Sequence, residues 1–350
     1  MGGAEDMAGP SPAVARVRSA VRPGLTASPA PVLVAVSGGA DSLALAAAVA
    51  FEAPRAGVPA GAVTVDHGLQ PGSAARAEAT AVLLRGLPLD PVSVVPVRVG
   101  RDGGPEGAAR DARYAALAEA AADAGARVAL GHTLDDQAET VLLGLGRGSG
   151  PRSVAGMVEH RQAADGPMTW WRPLLGVRRE TTRAACADQG LPVWEDPWNA
   201  DPAYTRVRLR TEVLPLLEEV LGGGVAPALA RTAAMLREDL DALDELAAAE
   251  LSRLSGGQSA PAHPVPARDL AALPAALRRR VLRGWLRGAG VPDLQAVHLT
   301  AVDALLTRWR GQGRVDLPGG AGVVRSSGRL VVVPAAVRGP RSAPPEERDT

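Results

Sequence analysis

The 350-residue chain has no lysine: all 38 residues in its Lys-plus-Arg count are arginines, set against 38 Asp plus Glu. A Walker-type phosphate loop, a Schiff-base amine and a Ser-x-x-Lys acyl-transfer centre each require a lysine and are excluded. With a net charge of zero, a nucleic-acid partner has to be held by clustered arginines rather than by a global field. The single cysteine, Cys186, excludes a disulfide framework, a Cys-rich zinc module and a two-cysteine sulfur relay, and points to a reducing compartment. No apolar run reaches the ~18 residues of a membrane span, and the Pro-rich start lacks the apolar region of a secretory signal. A soluble, cytoplasmic protein without a membrane partner is therefore expected. Aromatic residues are also scarce, with 6 Trp, 2 Tyr and 1 Phe, so their positions carry information.

Length alone implies roughly two domains. Residues 1–30 and 335–350, rich in Ala, Pro, Gly and Ser, are expected as mobile tails. Between them, strands are predicted at 32–36, 62–66, 92–99, 127–130 and 170–175. They alternate with helices at 43–52, 74–84, 108–124, 136–145 and 179–189. Strand–helix alternation of this kind predicts an α/β fold with a parallel sheet covered on both faces, over residues 31–214. From Pro215 the pattern turns helical, with Leu229, Thr232, Leu236, Leu240, Leu243 and Ala247 on one stripe. A smaller, mainly helical domain ending in short strands is expected over 215–334.

The sharpest local signal is Ser37-Gly38-Gly39-Ala40-Asp41-Ser42, between the first predicted strand and a helix. Two glycines free backbone N–H groups to turn inward, two serines add hydroxyls and the helix N-terminus adds partial positive charge, which together make an anion trap. An aspartate beside a phosphate suits a bridging Mg²⁺ or a loop-orienting role, and it also suits simple helix capping.

Ser-Gly-Gly-x-Asp-Ser after the first strand resembles the PP-loop of the ATP pyrophosphatases, which cleave ATP between the α and β phosphates. Further blocks narrow the resemblance: Val65-Asp66-His67-Gly68-Leu69, Ala108 to Tyr114, Gly131-His132-Thr133-Leu134-Asp135-Asp136-Gln137-Ala138-Glu139-Thr140, Arg147 to Met157, Arg172-Pro173-Leu174-Leu175, and Glu195-Asp196-Pro197 with Asn199, Asp201, Tyr204 and Arg206. In this order they resemble the tRNA(Ile)-lysidine synthetase family, in the shorter form without an additional C-terminal domain. The resemblance implies a PP-loop, Rossmann-like domain and a ligase that uses ATP and Mg²⁺. Such a ligase adenylates C2 of the wobble cytidine in the CAU anticodon of isoleucine tRNA and lets free L-lysine displace AMP. It also implies ATP binding by Ser37, Gly38, Gly39, Ala40, Asp41 and Ser42, catalysis by Asp41, His132, Asp136 and Arg113, and metal binding by Asp41 and Asp136. Arg147, Arg172, Asn199, Tyr204, Arg206 and Arg208 become the expected tRNA contacts, and a homodimer is admitted. The pattern departs from the family at Trp198, where a small polar residue is expected, and at Val207, where Asn often stands.

Several of these positions also admit plainer readings. Thr133-x-x-Asp136 is a capping-box pattern, and acids favour any helix N-terminus. Arg110 and Arg113, at i and i+3, could serve a phosphate or simply face water. Trp170, Trp171, Trp194, Trp198 and Tyr204 lie in one arginine-rich stretch suited to base stacking, although several tryptophans are expected in the core. Arg278, Arg279, Arg280, Arg283 and Arg287 form a second basic stretch. Leu254-Ser255-Gly256-Gly257-Gln258 spells a transporter-ATPase signature, but without a lysine it has no Walker partner, and helix C-capping explains its glycines. Another PP-loop tRNA-modifying or amidating enzyme, or a nucleotide sensor without turnover, are the competing functions. A lone cysteine disfavours the thiolating and glutaminase-coupled kinds.

Overall fold

Strand β1 (Val32–Ala35), four short apolar residues that no polar side chain interrupts, sits at the centre of a six-stranded sheet. A computed structural model describes residues 9–100, 104–148, 150–163, 166, 168–256 and 263–334. The chain divides into two compact units, Met1–Leu236 and Arg237–Thr350.

In the first unit the elements run α1 (Pro12–Ala27), β1, α2 (Ala40–Glu52), β2 (Ala60–Asp66), α3 (Ser73–Arg85), β3 (Val92–Pro96), α4 (Gly104–Asp123), β4 (Arg127–Leu130), α5 (Leu134–Arg147), α6 (Pro151–Val154), β5 (His160–Gln162), β6 (Thr169–Trp171), α7 (Arg179–Asp188), α8 (Thr205–Arg208) and α9 (Leu214–Val220). Sheet order is β3-β2-β1-β4-β6-β5, parallel throughout except for the β5–β6 pair. The crossovers are helical, as parallel neighbours require. Alternate side chains separate two cores. Val32, Val34, Ala62 and Ala129 pack with α1, α2 and α7 residues, whereas Leu33, Val63, Val128, Leu130 and Trp170 pack with Leu117 and Ala121 of α4. The carboxyl ends of β1 and β4 lie side by side where the strand order reverses, the place at which open α/β sheets bind ligands.

Two sequence expectations require correction. Residues 12–27 are not a tail but a helix: Ser11 caps it by accepting from Val14 N, Pro12 stands in its first turn, and Val14, Val17, Val21 and Leu25 are buried. That spacing of three and four residues is a helical stripe, obscured in the sequence by the surrounding Ala, Pro and Gly. The expected strand at 170–175 ends at Trp171, because Pro173 opens a 3₁₀ turn over Pro173–Gly176. β5, an edge strand of His160, Arg161 and Gln162, carries no apolar alternation and was not foreseen.

A 30-residue helix, α10 (Val225–Leu254), carries the chain from one unit into the next. Besides Val225 at its start, its buried positions are Ala226, Ala233, Leu240, Ala247 and Leu254, a seven-residue repeat that leaves the predicted Thr232 exposed. Gly256 follows it in a left-handed conformation, as the C-capping reading requires; Gly257 and Gln258 lie outside the described residues. The second unit continues with β7 (Val265–Pro266), α11 (Ala267–Ala272), α12 (Ala275–Gly288), α13 (Ala296–Thr307), β8 (Val315–Asp316), β9 (Gly322–Ser326) and β10 (Arg329–Val333). Its antiparallel sheet has the order β7-β10-β9-β8. Within the arginine stretch of α12, Arg278 is a core residue, its guanidinium 2.5 Å from Asp303, and Arg280 pairs with Asp244 at 2.8 Å. The expected tail at 335–350 lies outside the described residues. No single helix among the described residues is long and apolar enough to cross a membrane.

The docking of α1 gives a test whose sign is unusual. Replacing a helix-interior glycine by alanine ordinarily stabilises, by up to about 1 kcal/mol. A Cβ on Gly24, however, would overlap the indole of the fully buried Trp171. Gly24→Ala is expected to destabilise by about 1–3 kcal/mol in urea or thermal unfolding; a stabilised variant would mean that α1 is not packed there.

Candidate active site

The loop from β1 to α2 turns sharply at Gly38, whose φ of 85° is left-handed, and enters the helix at Gly39. Ser42 Oγ accepts from Ser37 N at 3.1 Å and donates to Gly39 O at 2.9 Å, so one hydroxyl closes the loop on itself. A Cβ on Gly38 would press on Thr80 Oγ1, and one on Gly131 would press on the backbone of Asp41. β4 and the α2 N-terminus thus approach each other closely only because position 131 has no side chain.

Around this loop four carboxylates and three guanidiniums interlock. Arg179, in the first turn of α7, reaches Asp41 (3.5 Å), Asp136 (2.6 Å) and Glu139 (3.2 Å). Arg178 pairs with Asp135 at 3.1 Å, and Asp135 also accepts from Arg179 N at 2.8 Å. Arg210 pairs with Glu139 at 2.9 Å from a π-helical turn (Leu209–Val213) between α8 and α9, a local widening often found at functional sites. Glu139 is fully buried, so its two arginines are what make its charge tolerable there. Four negative charges against three positive ones leave the cluster with one to spare.

Both readings of Asp136 hold together. It completes the capping box by accepting from Thr133 N (2.7 Å) and Thr133 Oγ1 (2.8 Å), while its other oxygen meets Arg179. Burial works against its charge, but Arg179 and the Thr133 donors outweigh burial and hold the carboxyl below the usual range. Asp41 behaves oppositely: burial pushes its carboxyl up, only partly countered by the Thr182 hydroxyl that donates to it and by Arg179. His132, beyond the end of β4, is pushed down to about 4 by burial, with Asp136 opposing and Arg172, Arg113 and Arg110 reinforcing. Cys186, buried and donating to Ala40 O, has its thiol pushed up to about 11 by burial and then by the charge of Asp41, which makes it a poor nucleophile.

Among the expected site residues, the structure brings Ser37 to Ser42, His132 and Asp136 to this one sheet edge, with Arg113 half-buried on α4 near His132. Arg172 is 4% exposed and donates to Val158 O, inside the sheet edge rather than on its surface. Arg147, Asn199 and Arg208 are exposed, with Tyr204 and Arg206 half-buried. Trp198 is 41% exposed, its ring 6.3 Å from that of Tyr204. Val207 is buried, so the apolar residue at that departure serves packing. Sequence reasoning missed Arg179, Arg210 and Thr182 as partners of the acids; nothing in their spacing from Asp41 or Asp136 signals a contact. An oxygen donor pair such as Asp41 and Asp136 fits Mg²⁺, which commonly takes one or two carboxylates and completes its shell with phosphates and water. The spare negative charge of the cluster favours a cation there.

Comparison with known proteins identifies the family and the fold. A family model described as PP-loop domain matches residues 13–217, and one described as TilS substrate binding domain matches residues 266–331. The tRNA(Ile)-lysidine synthases of Streptomyces coelicolor (53% identity) and Thermobifida fusca (54%) each align over 93% of this chain and 99% of their own length. That of Leifsonia xyli is 55% identical over 89% of this chain and 92% of its own. Among solved structures, the U34-tRNA thiolase NcsA of Methanococcus maripaludis, with its 4Fe-4S cluster, shares the fold with a TM-score of 0.54. It is 17% identical and covers 65% of this chain and 80% of its own.

The depressed His132 fixes the sign of a pH effect. As pH falls below 6.5 the unfolded chain takes up a proton on this imidazole before the folded one does, so stability is lost between pH 6.5 and about 4. His132→Asn is expected to remove about 2–3 kcal/mol of that loss. Denaturant titrations of both proteins across this range measure it, and parallel curves would place His132 in water.

Proposed function

The chain belongs to the tRNA(Ile)-lysidine synthase family, and on that premise we propose that it joins free L-lysine to C2 of the wobble cytidine in the CAU anticodon of isoleucine tRNA, consuming ATP in the cytoplasm. The observation that carries this reading is the cluster in which one guanidinium, Arg179, ties Asp41 at the anion-binding loop to Asp136 and Glu139 on the next helix.

In the first step the cytidine O2 attacks the α-phosphorus of ATP; an O–P bond forms, the bond to the β-phosphate oxygen breaks and pyrophosphate leaves. The loop at Gly38 and Gly39, with the Ser37 and Ser42 hydroxyls and the α2 N-terminus, is suited to hold the phosphates and stabilise charge developing on them. Asp41 and Asp136 would hold Mg²⁺, which supplies neutralisation of phosphate charge when bound.

In the second step the lysine ε-amine attacks C2, a C–N bond forms and AMP departs. That amine has a pKa of about 10.4 and must first shed a proton. Asp136, kept ionised and engaged on both oxygens, is suited to orienting the ammonium. Arg147, Asn199, Tyr204, Arg206 and Arg208 are the candidate tRNA contacts, and the exposed Trp198 beside Tyr204 offers a face for base stacking.

Because the acids and the exposed arginines are separate groups, Asp41→Asn is expected to slow tRNA-dependent pyrophosphate release by about 10²- to 10³-fold while changing tRNA affinity little. Pyrophosphate release and filter binding measure the two. Equal losses in both would remove Asp41 from the chemistry.

A further inference from the structure

Between Glu139 and Glu159 the sequence contains no acid, and its only charges are Arg147 and Arg152. Helix α5 runs through the first part of this stretch to Arg147, and the chain returns through α6 to Met157. Glycines recur along it, and those at 150 and 156 are left-handed, with φ of 91° and 66°. Such a backbone loses much entropy on ordering, so specific contacts have to hold it. Three do. The side-chain amide of Gln137, only 6% exposed, donates to Met157 O at 2.7 Å and accepts from Met157 N at 2.6 Å. A Cβ on Gly144 would overlap the carbonyl of Ser153, so α5 and α6 meet backbone to backbone. Arg172 donates from its side chain to Val158 O at 3.0 Å and from its backbone N to Glu159 O at 2.8 Å.

The identity of residue 137 matters here. It is the one amide in Asp135-Asp136-Gln137-Ala138-Glu139, and only an amide can donate to and accept from the same residue's backbone at once. A glutamate would keep the shape, lose the donor and set a carboxylate against the Met157 carbonyl. Gln137 therefore does for Met157 what a neighbouring strand would do, answering both its N–H and its C=O. Within two turns, α5 carries the acids bound by Arg179 and the fastening of the segment that returns along it.

We propose that Gln137 is a positioning residue for tRNA binding: it holds residues 150–157 as a preformed support from which Arg152 meets a backbone phosphate. This rests on the function proposed above and adds Arg152 to the tRNA contacts. Arg152 is exposed on α6, five residues beyond the exposed Arg147. With no acid in the stretch, the two guanidiniums give it a positive field suited to an anion. A glycine-rich segment that had to be ordered by tRNA would spend binding energy on its own entropy, and the Gln137 clamp removes that cost in advance. A phosphate contact of this kind fixes register and affinity and takes no part in the bond-making steps.

The test uses the full chain with ATP, L-lysine and isoleucine tRNA. Gln137→Glu and Gln137→Met are each expected to raise KM for tRNA about 10-fold. Both should leave kcat and KM for ATP within about 2-fold, the pattern of binding lost equally from ground and transition states. Arg152→Gln is expected to raise KM for tRNA similarly and to lower the logarithmic salt slope of tRNA binding by about 0.7–0.9, the share of one phosphate. Added to Gln137→Met, Arg152→Gln should cost less than about 2-fold more, because both changes remove one contact. Effects that multiply in the double variant overturn the proposal. So does an unchanged KM for tRNA in folded Gln137 variants that merely melt earlier, since the residue would then be structural alone. If neither Gln137 variant folds, Gly144→Ala, which presses on the Ser153 carbonyl, is expected to give the same rise and the same lack of additivity with Arg152→Gln. If the wild-type protein modifies no tRNA, the function proposed above fails, and tryptic cleavage decides the clamp. Trypsin cuts this lysine-free chain only after arginine, and cleavage after Arg152 is expected to be about 10-fold faster in Gln137→Met than in the wild type; equal rates overturn the clamp.

Discussion

The contact on which the rest of the first unit depends is the guanidinium of Arg179 among Asp41, Asp136 and Glu139. It ties the first turn of α7 to the N-terminal turns of α2 and α5, the two helices that follow the central strands β1 and β4. Without it, buried carboxylates from two different elements would repel one another across the loop. Burial works against the charge of Arg179 itself, yet Asp136, Glu139, Asp41 and Asp135 together raise its proton affinity, so the arginine stays charged under any working condition. A planar fork meets three partners in different directions, which a single ammonium does less well. In a chain without lysine every such junction is an arginine, and Arg178 and Arg210 repeat the device on either side.

Charge at the sheet edge is therefore sorted rather than neutralised. The acidic lobe, built on α2, α5 and α7, holds its carboxylates in different states of readiness: Asp136 firmly ionised by Arg179 and Thr133, Asp41 reluctant to ionise because burial prevails. A few residues away, Arg110 and Arg113 of α4 stand near His67 and His132, imidazoles whose proton affinity burial lowers. On the proposed function, such neighbouring but opposed environments serve an anionic nucleotide and an amine at the same sheet edge.

Much of this was legible in the sequence where the chemistry is local. Ser37 to Ser42 follows a strand and opens a helix as expected, and the Thr133–Asp136 cap is visible from its spacing alone. The partners of those acids were not legible, since Thr182 and Arg179 are separated from Asp41 by well over a hundred residues and Arg210 from Glu139 by 71, and they meet only through the fold. Helix α1 was missed because its buried stripe of Val14, Val17, Val21 and Leu25 is embedded in the composition of a tail. Arg172 illustrates the opposite error. Its setting among aromatics and arginines suggests an RNA-facing surface, but the strand register turns it inward toward Tyr114.

The central claim is that this sheet edge activates a tRNA cytidine with ATP and delivers lysine to it. Its most direct measurement is mass spectrometry of nucleosides from a CAU-anticodon isoleucine tRNA transcript incubated with the protein, ATP and L-lysine. The expected result is one lysine added to the wobble cytidine, with AMP and pyrophosphate released in equal amounts and only when the tRNA is present. An unaltered cytidine alongside ATP cleavage that does not need tRNA would contradict the account.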